Sequence, residues 1–166
     1  MQPVSFLSNQ NNNRIFIFQS SDYLSNEHID YIHNKLNTDF FPNWFSHREK
    51  ITPELLIIYH HFIIISTSTS NISGCSIDSL IKQMKLIESE LYIDLFNRLN
   101  IAYCKLNNDL FKLTNHVEID FLGYREFLNR FSNNRPDNIY VFNNTITHSN
   151  QIWIHSLDSW LSDHIN

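Results

Sequence analysis

The amino-acid sequence predicts a single α+β domain, a mixed central sheet with about three helices. Two observations carry this. Short β-rich runs alternate with segments of helical period, and then a hairpin-like stretch interrupts the alternation, which argues against a regular doubly wound fold. A length of 166 residues, 42% hydrophobic and 14% aromatic, also suffices for one core without a metal or disulfide staple.

Residues 1–12 are polar and are expected to be flexible, leaving 13–166 as the globular part. Arg14 to Gln19 reads as the first strand. Ser25 is placed as the N-cap of a helix carrying Ile29, Ile32 and Leu36 at helical spacing. Pro42 stops that helix. Pro53 to Ile65 is expected to form one long central strand, and Ser66 to Ser73 a polar loop. A second helix is expected over Ile77 to Leu91, with Leu80, Met84 and Ile87 on one face. Leu99 to Lys105 reads as a strand, turning at Asn107–Asn108 into Leu110 to Thr114. A third helix holds Tyr124, Phe127, Leu128 and Phe131, and Ile139 to Phe142 is a further strand. The tail, Gln151 to Trp160, is expected to pack on the body.

Composition excludes several functional classes. The formal charge is −5, with twelve Lys and Arg scattered along the chain, so no basic footprint for nucleic acid is present. The longest apolar run, Leu55 to Ile65, is too short to span a membrane and contains His60 and His61. Two cysteines make no disulfide framework and fit a reducing compartment, so a cytoplasmic location is expected. The 22 Asn and 22 Ile against one Ala and two Gly reflect codon bias of an AT-rich bacterial genome rather than folding. Surface Asn residues therefore carry little functional information.

The most informative run is Ser73-Gly74-Cys75-Ser76-Ile77-Asp78. A glycine here suggests a positive φ or a close approach to the backbone. Small hydroxyl residues at a helix start leave amide hydrogens pointing outward, where an anion is favoured, and the same field favours a thiolate at Cys75. The plainer alternative is that Ser76 caps the helix, Gly74 makes the turn and Cys75 fills a buried gap. Phe142-Asn143-Asn144, at a strand exit, is a second candidate, although Asn-Asn is also an ordinary turn pair. The histidines give no metal spacing. His60 and His61 on a strand point to opposite faces, and His28 and His33 lie five apart; His116-x-Glu118-x-Asp120 would align three possible ligands on one face of a strand, but Asp120 is expected instead to be an N-cap. No zinc motif and no phosphate-cradling GxxxxGK[ST] loop occurs, so neither metal nor cofactor is expected.

Over nearly its whole length the chain resembles a family of short uncharacterised bacterial proteins often labelled "ABC transporter ATPase". The resemblance is carried by Trp44 with His47, by Ser73 to Asp78, by Leu95-Phe96 with Arg98, by Phe142-Asn143-Asn144, by Trp153, and by Ser159-Trp160. It implies no established activity, and the missing phosphate loop contradicts the ATPase label. The chain departs from the family pattern at Asn97, usually Asp, near His148, where a Lys is usual, and at Thr67-Ser68, usually an acidic pair. The resemblance implies that the cysteine loop and Asn143–Asn144 form one site.

The leading expectation is a binding module for a small polar or anionic ligand or a partner segment. Ser73, Gly74, Ser76, Asp78, Arg98, Asn143 and Asn144 would hold it. The rival is a thiol enzyme with Cys75 as nucleophile, His47 or His60 as base, and Asn143 or Asn144 as the orienting group. A third reading is a structural subunit of an assembly, docking through exposed Trp153 or Trp160.

Overall fold

The computed structural model describes residues 12–68, 71–106 and 117–165. The expected turn at Asn107–Asn108, the run Leu110 to Thr114, His116, and all but the last residue of the 1–12 segment lie outside them.

Strand β1 (Arg14–Gln19) leads into α1 (Asn26–Asn34), capped as expected by Ser25. The Ser25 hydroxyl accepts from the His28 N–H, and the His28 ring accepts from the Ser25 N–H, so a histidine closes the capping box. The helix loosens into a π-type turn over Lys35–Phe40 and a 3₁₀ turn over Phe41–Asn43, where Pro42 ends it. A short ribbon, β2 (Phe45–Ser46) and β3 (Glu49–Lys50), turns through His47 and Arg48, both at positive φ.

The stretch Pro53 to Ile65 is two strands rather than one, β4 (Pro53–Ile58) and β5 (Phe62–Thr67). Tyr59 and His60 take left-handed φ values of 55° and 57°, and the His61 N–H donates back to the Ile58 carbonyl. Left-handed turns of this kind match the twist of an antiparallel pair, but Tyr-His is not a turn pair that sequence reasoning flags. His60 and His61 therefore sit in a turn and not on opposite faces of a strand, and both rings lie against Tyr23. Ser66 and Thr67 belong to β5 and not to the loop.

The remaining elements are α2 (Gly74–Leu91), β6 (Asn100–Lys105), β7 (Asp120–Gly123), α3 (Tyr124–Phe131), β8 (Ile139–Phe142), β9 (Ile154–Ser156) and α4 (Leu157–His164). Asp120 thus begins a strand, and Gly123 takes the N-cap position of α3.

The fold is α+β, with four α-helices among the described residues. The sheet is not mixed: the strands form three antiparallel sheets, ordered β1-β5-β4, β2-β3 and β7-β6-β8-β9. For β4 and β5 the hairpin at Tyr59–His61 is the reason, because it returns the chain without the helical crossover that a parallel pair needs.

The two larger sheets stack face to face, each covered outside by helices. Phe16, Phe18, Ile63 and Ile65 pack on Ile32 of α1 and on Leu80, Met84 and Ile87 of α2. On the other face, Ile15, Phe62 and Ile64 meet Ala102, Cys104, Phe142 and Trp153. Tyr103, Ile139 and Val141 then pack under α3 and α4 through Phe127, Phe131, Leu157 and Trp160. Every residue of β5 is buried, as expected for a central strand with side chains in two cores. No helix among the described residues is long and apolar enough to cross a membrane.

Candidate functional site

The Ser73–Asp78 run starts α2, and its polar groups are largely spent on holding that helix in place. Ser73, not Ser76, is the N-cap, and its Oγ accepts from the Ser76 N–H at 3.2 Å. The Ser73 N–H donates to Ser46 Oγ at 2.9 Å. The Ser76 hydroxyl donates to the Phe45 carbonyl at 2.6 Å, and the Trp44 indole N–H donates to the Ser76 carbonyl at 2.9 Å. Three consecutive residues, Trp44 to Ser46, thus bind the first turn of α2. Gly74 has a negative φ, and a methyl group added there would meet nothing within 4 Å, so neither expected reason for a glycine applies.

Cys75 is exposed rather than a buried filler. It lines a shallow recess of about 300 Å³ with Phe40, Asn43, Trp44, Phe45, Ser76 and Ser79. Among the described residues, no histidine lines that recess. His47 is an exposed residue of the β2–β3 turn. His60 donates through Nδ1 to the Leu24 carbonyl at 2.7 Å and stacks on Tyr23. It precedes β5, whereas Cys75 follows that strand, so the two lie beyond opposite ends of it. Asp78 is exposed on α2.

A larger cleft, about 530 Å³, lies along the free edge of β1. Its floor is the strand itself. One wall is α2 with Ile77 and Ile81, joined by Leu95 and Phe96, and the other holds Phe142, Ile146 and Trp160. Arg98, Asn143 and Asn144 all line it, and Cys75, Ser73, Ser76 and Asp78 do not. The structure therefore gathers three of the expected binding residues and separates them from the cysteine.

The two asparagines have different roles. Asn143 makes a local turn: its Oδ1 accepts from the Thr145 N–H and hydroxyl, while its own N–H donates to the Trp153 carbonyl. Asn144 is a bridge between sheets. Its Oδ1 accepts from the Trp153 indole at 2.9 Å, and its Nδ2 donates to Gln19 Oε1 at 2.6 Å. Gln19 in turn donates to the Asn100 carbonyl at 3.1 Å. This relay closes one end of the cleft. The other end is closed where Ile15 N–H donates to the Thr147 carbonyl and Ser149 N–H to the Asn13 carbonyl, pairing Arg14 with His148.

Charge in the cleft is of one sign. Arg14 and Arg98 line it, with the His164 ring beside them, and among the described residues no Asp or Glu does, although the chain has 17 acidic residues against 12 Lys and Arg. Arg14 is partly engaged, donating to the Thr147 carbonyl at 3.2 Å and lying over the Phe16 ring. His164 donates through Nδ1 to the Trp160 carbonyl and stacks on that indole. Arg98 is exposed at the rim and has no hydrogen-bond or ion-pair partner among the described residues.

Trp153 and Trp160 are 0% and 5% exposed, so neither is a docking residue. Cys104 is buried, and burial, aided by the Asp120 charge, pushes its thiol up to about 12. Among the described residues, no group of three His, Cys, Asp or Glu side chains is placed to hold a metal ion. Sequence reasoning missed Gln19 and the edge of β1. The available signal was a polar residue ending an otherwise apolar strand. Comparison with family models, curated proteins and solved structures gives no match.

Proposed function

We propose that this chain is a binding module whose β1-edge cleft takes a small amphipathic anion. The observation that carries the reading is a largely apolar cleft with two arginines and, among the described residues, no carboxylate in its walls, in a chain of net negative charge. Its size falls in the range of small-ligand sites. Arg98 is the residue for the anionic head, and Ile77, Ile81 and Phe96 are the surface for the apolar body. The family resemblance supports this grouping, because Leu95, Phe96, Arg98, Asn143, Asn144 and Trp160 are among its marks and all line the cleft. The thiol-enzyme reading has less support, since the recess at Cys75 has no histidine to serve as base.

Thermal unfolding with decanoate, decanol and decylamine tests the proposal. Decanoate is expected to raise Tm in a saturable way and decylamine to leave it unchanged, with Arg98→Ala removing most of the decanoate effect. Equal shifts from all three, or none from decanoate, would overturn the reading.

A further inference from the structure

The floor of the cleft is a strand edge that, among the described residues, is left unpaired at Ile17. In β1, Ile15 sends its N–H to Thr147, away from β5. Strand alternation then turns the N–H and C=O of Ile17 to the same side. At that position no partner exists among the described residues, because the chain's own pairing stops at Thr147 and resumes only through the Gln19 side chain. Ile17 lines the cleft and is half-buried, so a donor and an acceptor in backbone geometry face it beside the apolar wall of Ile77, Ile81 and Phe96. An aliphatic tail satisfies neither group, and leaving such groups dry is costly.

We propose that the natural occupant is a short extended peptide with a free carboxylate, whose backbone pairs with Ile17 as an added strand. The proposal rests on the amphipathic-anion reading above and names its ligand class. Strand addition to an exposed edge is an established mode of peptide recognition. Charge sets the orientation. Arg98 stands two residues from Asn100, whose carbonyl holds Gln19, so the cation lies at the Gln19 end of the edge. A C-terminal carboxylate placed there makes the peptide run parallel to β1. Its alternate side chains meet the wall of Ile77, Ile81 and Phe96.

Isothermal titration calorimetry with four probes tests this: acetyl-Leu-Leu-Phe with a free carboxylate, the same peptide as its C-terminal amide, the analogue with an ester in place of the central amide, and decanoate. The free-carboxylate peptide is expected to bind. The C-terminal amide is expected to bind about ten-fold more weakly, by loss of a charge-assisted contact. The ester analogue, which cannot donate to the Ile17 carbonyl, is expected to lose about three- to ten-fold. Arg98→Ala should abolish the difference between carboxylate and amide while leaving the ester penalty. Binding of decanoate without any binding of the peptide would overturn the peptide proposal and leave the amphipathic-anion reading standing. An ester analogue as tight as the peptide would do the same. If neither decanoate nor peptide binds, both fall.

Discussion

Removing the Asn144 side chain breaks the relay that joins the two large sheets, and its cost follows from what is left behind. Asn144→Ala orphans the Trp153 indole N–H, on a residue with 0% exposure, and the Gln19 amide oxygen, on a residue with 9%. A buried group left without its partner costs about 1–3 kcal/mol. Gln19 borders the cleft and can recover some solvation, so the sum is taken as about 2–4 kcal/mol rather than the full range of both. For a chain of this length that corresponds to a fall in Tm of roughly 5–12 °C. Circular dichroism during heating and in urea gives both numbers. A double-mutant cycle isolates the contact: Trp153→Phe deletes the donor, so in the Asn144→Ala background it should cost about 1 kcal/mol less than in the wild type. A Tm shift under about 2 °C would show that the relay does not hold the fold together, and costs that add within about 0.5 kcal/mol would show that the Asn144–Trp153 contact carries no coupling.

Three further outcomes are expected. Gly74→Ala should be neutral or stabilise by about 0.4–1 kcal/mol in urea unfolding, because the residue has a negative φ and open space at Cβ; a loss above about 1 kcal/mol would show a constraint that the backbone does not reveal. A thiol reagent at neutral pH should label Cys75 in the native protein and Cys104 only after unfolding, since one thiol is exposed and the other is buried with its ionisation pushed up to about 12; mass spectrometry of the labelled peptides distinguishes them. His61 is held below its ordinary pKa chiefly by burial, against the raising effect of the Ser20 carbonyl that its Nδ1–H meets. With the folded value depressed, its stabilising contribution is complete above about pH 6.5 and is lost as pH falls through the folded pKa. The Tm of the wild type should therefore drop more steeply below about pH 6.5 than that of His61→Gln, and parallel curves would remove His61 from the acid response.

Local signals read well from the sequence where one short segment decides the outcome. β1 has the expected bounds, Ser25 caps α1, and Pro42 ends the helical run. The misreadings share a cause, which is tertiary support for unlikely local geometry. Tyr59 and His60 are poor candidates for left-handed backbone, yet Leu24 N–H donates to the His60 carbonyl and Ser20 N–H to the His61 carbonyl. Contacts from the β1–α1 connection thus hold a turn that no Gly or Asn announces. The same holds for His47 and Arg48, whose turn is fixed by Ile51 N–H donating to the Trp44 carbonyl and by the anchoring of Trp44 on α2.

The candidate site was half legible for a geometric reason. The Ser73–Asp78 run invites reading as one site because its residues are adjacent, but a helix turns about 100° per residue. Cys75 and Ser79, four apart, face the shallow recess, while Ile77 and Ile81, also four apart, face the cleft. Cys75 and Ile77 differ by about 200°, so two neighbouring positions serve opposite sides of α2. Arg98 and Asn143–Asn144 then join Ile77 and not Cys75. Adjacency in sequence pointed to the cysteine, whereas helical period selects the isoleucines and leaves the thiol outside the cleft. That division leaves the rival thiol-enzyme reading without a base and keeps the proposed binding site at the strand edge, beside Arg98, which has no partner among the described residues.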